Sequence, residues 1–158
     1  MTDNGTGESA SGRLCAVSEF WELPGDPALC PGLRRRVRAS LTGFPHTAAD
    51  AELFANACRH SLSGDGGKVS VSLSGLRTGL VLVTVTDQGP KADPATGGPR
   101  VPQVRPPGDP LAPGGRGLRL VAELTTDWGH WATDEGGHTV WAVFEPPLPA
   151  YAYLPHEP

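Results

Sequence analysis

The chain has 158 residues, with 13 Lys and Arg against 17 Asp and Glu, a formal charge of −4 and a pI near 5.7. That balance gives no global positive field for nucleic acid or anionic lipid, and no apolar run approaches the roughly 20 residues of a bilayer span. The start MTDNGTGESASG lacks the charged and apolar regions of a signal peptide, so a cytoplasmic protein without direct nucleic-acid or membrane contact is expected.

Leu14 to Leu23, with Phe20 and Trp21, reads as a first strand that stops at Pro24 and Gly25. Asp26 and Pro27 then supply an N-cap and a first-turn proline, and Leu29, Leu33, Val37 and Leu41 form one apolar stripe of a helix ending near Gly43. Pro31 and Gly32 suggest that its regular part begins only there. Thr47 to Ser61, rich in alanine, predicts a second helix. Val69, Val71 and Leu73 alternate with serines, and Leu80 to Thr86 places Val81, Val83 and Val85 on one strand face, with Asp87 next in phase.

A long loop follows, in which 15 of the 30 residues from Gln88 to Gly117 are Gly or Pro. Loops of that length inside a domain are uncommon and usually functional or disordered. Arg116 to Leu124 reads as a third helix, and Asp127 to Thr133 and Thr139 to Phe144 as a hairpin. The expected fold is an α/β two-layer sandwich (α+β in class). Its mixed, largely antiparallel sheet of about five strands is covered on one face by three helices. The domain spans residues 13–145, between a disordered tail, 1–12, and a proline-rich tail, 146–158.

Cys15, Cys30 and Cys58 show no CxxC spacing, so neither a disulfide framework nor a zinc site is expected. Gly67 and Lys68 lack the upstream glycine of a P-loop, and Gly115 and Gly117 lack the third glycine of a dinucleotide fingerprint. What remains is a glycine cluster, Gly114, Gly115 and Gly117, at a helix start where free N–H groups favour an anion. Glu52 and Asn56 share one helix face, and Asp87 ends a buried-type strand with Gly89 two residues on. Arg34, Arg35, Arg36 and Arg38 read as a solvated helix face, or as a surface for an acidic partner. His60 reads as a helix C-terminal cap, and Trp21, Trp128, Trp131 and Trp141 as residues packed in or beside the sheet.

Glu52 to Asn56 with His60, Asp87 with Gly89, Gly115 to Val121, and Gly136 to Trp141 occur in one order on the predicted helix, strand, helix and strand. In this order the chain resembles the GHKL (Bergerat-fold) ATPase and kinase superfamily over about Leu14 to Phe144, and within it the single-domain anti-sigma-factor serine/threonine kinases. The resemblance implies ATP and Mg²⁺ as cofactors. It implies Glu52 as catalytic base, Asn56 as the Mg²⁺ ligand, and Asp87 and Gly89 as the adenine subsite, supported by the Thr139 hydroxyl. It implies that Gly115, Arg116, Gly117 and Leu118 hold the phosphates, and that the loop 88–114 is the ATP lid.

The same resemblance implies a STAS-type anti-anti-sigma factor or a sigma factor as partner, and a homodimer. Two departures stand out: Lys91 replaces the second glycine of the DxGxG box, and the helix before Glu52 is about a turn short. There is no room for a phosphoacceptor helix pair or a transducer domain. Two readings follow, a serine/threonine kinase, for which Glu52 and Asn56 speak, and a non-catalytic module that sequesters a regulator, for which the departures speak. ATP hydrolysis without transfer ranks third.

Overall fold

The computed structural model describes residues 15–44, 49–92, 94–98 and 116–146, with the backbone alone at 49, 50, 116 and 117. The first strand, β1 (Cys15–Pro24), ends at a proline and sits at a sheet edge, where the missing N–H breaks no ladder. Asp26 caps the next segment, its carboxylate accepting from Ala28 N at 2.9 Å. One 3₁₀ turn, Pro27–Leu29, leads directly into α1 (Cys30–Ser40). The regular helix thus begins at Cys30, beside Pro31 and Gly32, as their placement suggested. A proline in the first helical turn lacks only an N–H that has no intrahelical partner there anyway.

Leu33, Val37 and Leu41 form the buried stripe. The second helix, α2 (Ala49–His60), buries Leu53, Phe54, Ala57 and Cys58. Beyond it come β2 (Lys68–Leu76), β3 (Val81–Asp87), α3 (Arg116–Leu124), β4 (Asp127–Ala132) and β5 (His138–Phe144). Gly79, at φ +92°, makes the turn between β2 and β3 in a conformation that favours glycine.

The strand order is β1-β2-β3-β5-β4, and all four ladders are antiparallel, so the expected mixed sheet is antiparallel throughout its described strands. Chain order is broken once: β5 lies beside β3 and pushes β4 to the edge. The face bearing Val69, Val71, Leu73, Val81, Val83, Val85, Ala142 and Phe144 meets the helices in one core, with Phe54 fully enclosed. Val121 brings α3 into the same core, and α3 packs along α2.

The opposite face carries Ser70, Ser72, Thr84 and Thr86 in its centre and leaves Phe20 and Trp131 exposed toward its edges. Trp131 therefore departs from the expected packing, whereas Trp21 and Trp128 lie against the core. None of the three cysteines forms a disulfide; Cys58 is buried and the other two are half-buried. Desolvation pushes the Cys58 thiol up to about 11, which leaves it an inert apolar filler. Among the described residues no helix is long and apolar enough to cross a membrane. The tails fall outside the described residues, apart from Pro146.

Phe54→Ala is expected to lower the unfolding free energy by about 3–5 kcal/mol, the cost of a buried aromatic cavity. Phe20→Ala, at a site 66 % exposed, is expected to stay within about 0.5 kcal/mol. Urea unfolding followed by circular dichroism measures both.

Candidate functional site

The alternation that buries Val81, Val83 and Val85 puts Asp87 on the helix-covered side of the sheet, where it is half-buried at the strand end. Its Oδ1 accepts from Gly89 N at 2.8 Å, which leaves the second oxygen for another donor. Desolvation raises the carboxyl above the usual carboxylate range, and the Gly89 bond opposes the rise.

Gly89 has φ +105°, and a Cβ there would strike the carbonyl oxygen of Gly136. A Cβ on Gly137 would lie 2.5 Å from the carbonyl oxygen of Asp87. Two main chains therefore touch where no side chain fits between them. The β4–β5 turn is held in that place by Thr133, whose Oγ1 accepts from Gly137 N at 2.9 Å and whose N donates to Gly137 O at 2.9 Å.

The β3–β5 register corrects one sequence expectation. Asp87 faces His138, while Thr139 faces Thr86, one step along and on the open side of the sheet. The Thr139 and Thr86 hydroxyls bond each other at 2.8 Å. Thr139 thus points away from the Asp87 side of the sheet. The residue that shares the Asp87 face is His138. Its Nε2 lies 3.2 Å from Nδ1 of His130, and burial first, then His130, lowers its pKa. The signal was in the sequence: His138 is in phase with Val140, Ala142 and Phe144.

On α2, Glu52 and Asn56 stand one turn apart and both are half-buried. Glu52 Oε1 lies 3.5 Å from Nη2 of Arg34, which reaches across from α1. Arg34 thus leaves the solvated face expected for its run, while Arg35, Arg36 and Arg38 remain exposed. Asn56 Nδ2 and Arg34 Nε are buried without a hydrogen-bond partner. Such orphaned donors cost about 1–3 kcal/mol each, so the fold retains polarity here that it does not use internally.

The end of α2 is stitched to the Asp87 segment. Leu62 N donates to Gly89 O at 2.9 Å, Lys91 N donates to His60 O at 3.0 Å, and Ser61 pairs with Pro90. Ser63 Oγ takes Gln88 N at 2.9 Å and donates to Lys68 O at 2.6 Å. Lys91, where the resemblance expects glycine, has no positive φ, and its ammonium meets Asp65 at 3.1 Å. His60, beside Arg59, sits in the last turn of α2 as expected.

Gly114 and Gly115 lie outside the described residues, as do Asp93 and residues 99–113 of the expected lid. Arg116 and Gly117 open α3, and Leu118 packs against the core. The structure therefore brings together Asp87, Gly89 and His138, ties them to the helix of Glu52 and Asn56, and separates Thr139 from both. No group of three or more metal-ligating side chains occurs among the described residues.

Residues 25–144 match the family model of the histidine kinase-like ATPase domain. A solved structure of the RsbU and RsbW domains of Rv1364c from Mycobacterium tuberculosis is similar over 82% of this chain, with a TM-score of 0.54 and 16% identity. The chain covers 32% of that one, about a third of its length, and the likeness bears on the fold. No curated protein matches.

Burial makes the folded protein hold the Asp87 proton more tightly than the unfolded chain does. This contribution to stability is full below the ordinary value of 3.8 and is lost as pH rises through the raised folded value. Asp87→Asn keeps an acceptor for Gly89. It is expected to be more stable than the wild type at neutral pH, an advantage that vanishes below 3.8, as read by urea unfolding across that range.

Proposed function

Because the chain belongs to the histidine kinase-like ATPase domain family, we propose that it binds ATP and transfers the γ-phosphoryl group to a serine or threonine of a partner. The partner class is a STAS-type anti-anti-sigma factor, with sequestration of a sigma factor as a further role, in the cytoplasm. The observation that carries the reading is the pair Glu52 and Asn56, one turn apart and half-buried on a helix whose end is hydrogen-bonded to the segment Gly89 to Lys91 that follows Asp87.

The second oxygen of Asp87 takes the exocyclic amine of adenine, and Gly89, having no side chain, lets the base lie against the main chain. The side-chain oxygen of Asn56, half-buried on α2, would hold Mg²⁺, a hard cation that takes one or two oxygen ligands from protein and keeps several waters. Mg²⁺ bound there would neutralise charge between the phosphates. The first residues of α3, Arg116 and Gly117, offer N–H groups to the same phosphates, with Gly115 just before them in the sequence.

Glu52, once released from Arg34, accepts the proton of the partner hydroxyl. The hydroxyl oxygen forms the new bond to the γ-phosphorus, and the bond to the β-phosphate oxygen breaks to leave ADP. A positioned base contributes roughly 10²–10⁴-fold to such a step. A second reading, a module that occupies its partner without turnover, draws on one observation: in this structure the Glu52 carboxylate is engaged by Arg34.

Titration with ATP is expected to show Mg²⁺-dependent binding that Asp87→Ala abolishes. With labelled ATP and a STAS-type protein, phosphoserine or phosphothreonine is expected to form at least about 100-fold more slowly in Glu52→Ala. Tight ATP binding without any transfer would select the non-catalytic reading, and absence of ATP binding would remove both kinase and nucleotide site.

A further inference from the structure

Resting on the nucleotide site proposed above, we infer that His138 is a base-reading residue, donating a ring N–H to adenine N1 beside the amine that Asp87 accepts. The inference starts from register. His138 is the direct cross-strand partner of Asp87, and side chains in such a pair leave one face with Cβ atoms about 4.5–5.5 Å apart. That face is the helix-covered one, because Val85 pairs with Val140 and Val83 with Ala142 in the same phase.

The adenine edge presents a donor, the amine, next to an acceptor, N1. An Asp beside a neutral His offers the complementary acceptor and donor. Guanine or hypoxanthine presents a carbonyl and an N–H at these positions and would meet two mismatches.

His130 supplies the second part of the argument. Its Nδ1 engages Nε2 of His138 at 3.2 Å, with the rings 5.1 Å apart, and Trp128 stands beside His130 at 6.5 Å. When His130 donates in that bond, Nε2 of His138 accepts and the His138 proton resides on Nδ1, the nitrogen available to the base. Burial and then His130 lower the pKa of His138, which favours the neutral imidazole that such a bond needs.

The close approach of Gly137 to Asp87 O, and of Gly89 to Gly136 O, sets the height of His138 relative to Asp87. The two side chains therefore stand at one rigid strand junction instead of on a loop.

The test pairs a ligand atom with a residue. Calorimetry on the full chain compares ATP with 1-deaza-ATP, which keeps the amine and replaces N1 by CH, in the wild type, His138→Ala and His138→Gln. The wild type is expected to prefer ATP by roughly fivefold, the scale of one neutral hydrogen bond. His138→Ala is expected to bind both ligands alike, and His138→Gln, whose amide can donate, to restore part of the preference. A merely structural histidine would weaken both ligands equally and leave the ratio unchanged.

An ATP preference that persists in a folded His138→Ala overturns the inference, as does a wild type that binds both ligands equally; in either case the nucleotide site stands. A folded wild type that binds neither ligand overturns the nucleotide site and the inference together.

Discussion

The contact between two main chains, Gly89 on Gly136 and Gly137 on Asp87, is the constraint from which the rest of the site follows. A side chain at either glycine would push the β4–β5 turn away from the end of β3. With the contact made, β5 is locked beside β3 in a register that sets Asp87 against His138. The same strand end is fastened to α2 through Leu62, Lys91 and the Ser61–Pro90 pair. One junction thus couples the sheet, which carries the proposed base subsite, to the helix that carries Glu52 and Asn56.

Around this junction the protein retains polar groups that its own packing does not satisfy. Asp87 is desolvated, and Asn56 Nδ2 and Arg34 Nε lack partners. In a core built only for stability these positions would be apolar, since each buried unpaired group costs free energy. Asn56 and Arg34 border Glu52 on the facing helices α2 and α1, and Asp87 ends the strand that the close of α2 is bonded past. By contrast, the hydroxyl pair Thr86 and Thr139, on the other side of the sheet, is internally satisfied and asks for nothing.

Much of this was legible in the residues. Val81, Val83, Val85 and Asp87 alternate cleanly, so the strand, its buried face and the position of the carboxylate all follow from a period of two. The stripe Leu33, Val37 and Leu41 likewise marked the buried side of α1. β5 was harder, because Trp141 and Val143 make its open face as apolar as the side bearing Val140 and Ala142. Alternation is lost there, and a strand begun at Thr139 hides the fact that His138 is the residue in phase with Asp87.

Contacts between residues far apart in sequence were not legible at all. Arg34 meets Glu52 across two helices, and Lys91 meets Asp65 across the end of α2. The lysine in the second-glycine position read as a departure that speaks for a non-catalytic module. In the folded chain it takes ordinary backbone angles and adds an ion pair to the seam between the end of α2 and the segment after β3.

The central claim is that the helix-covered side of the β3–β5 junction is a nucleotide site. A crystal structure of the chain with a non-hydrolysable ATP analogue and Mg²⁺ tests it most directly. The account predicts the adenine amine within hydrogen-bond distance of Asp87, His138 on the base edge, Mg²⁺ beside Asn56 and no contact to Thr139. A base seated on the open face against Thr139, or an analogue bound away from the junction, would contradict it.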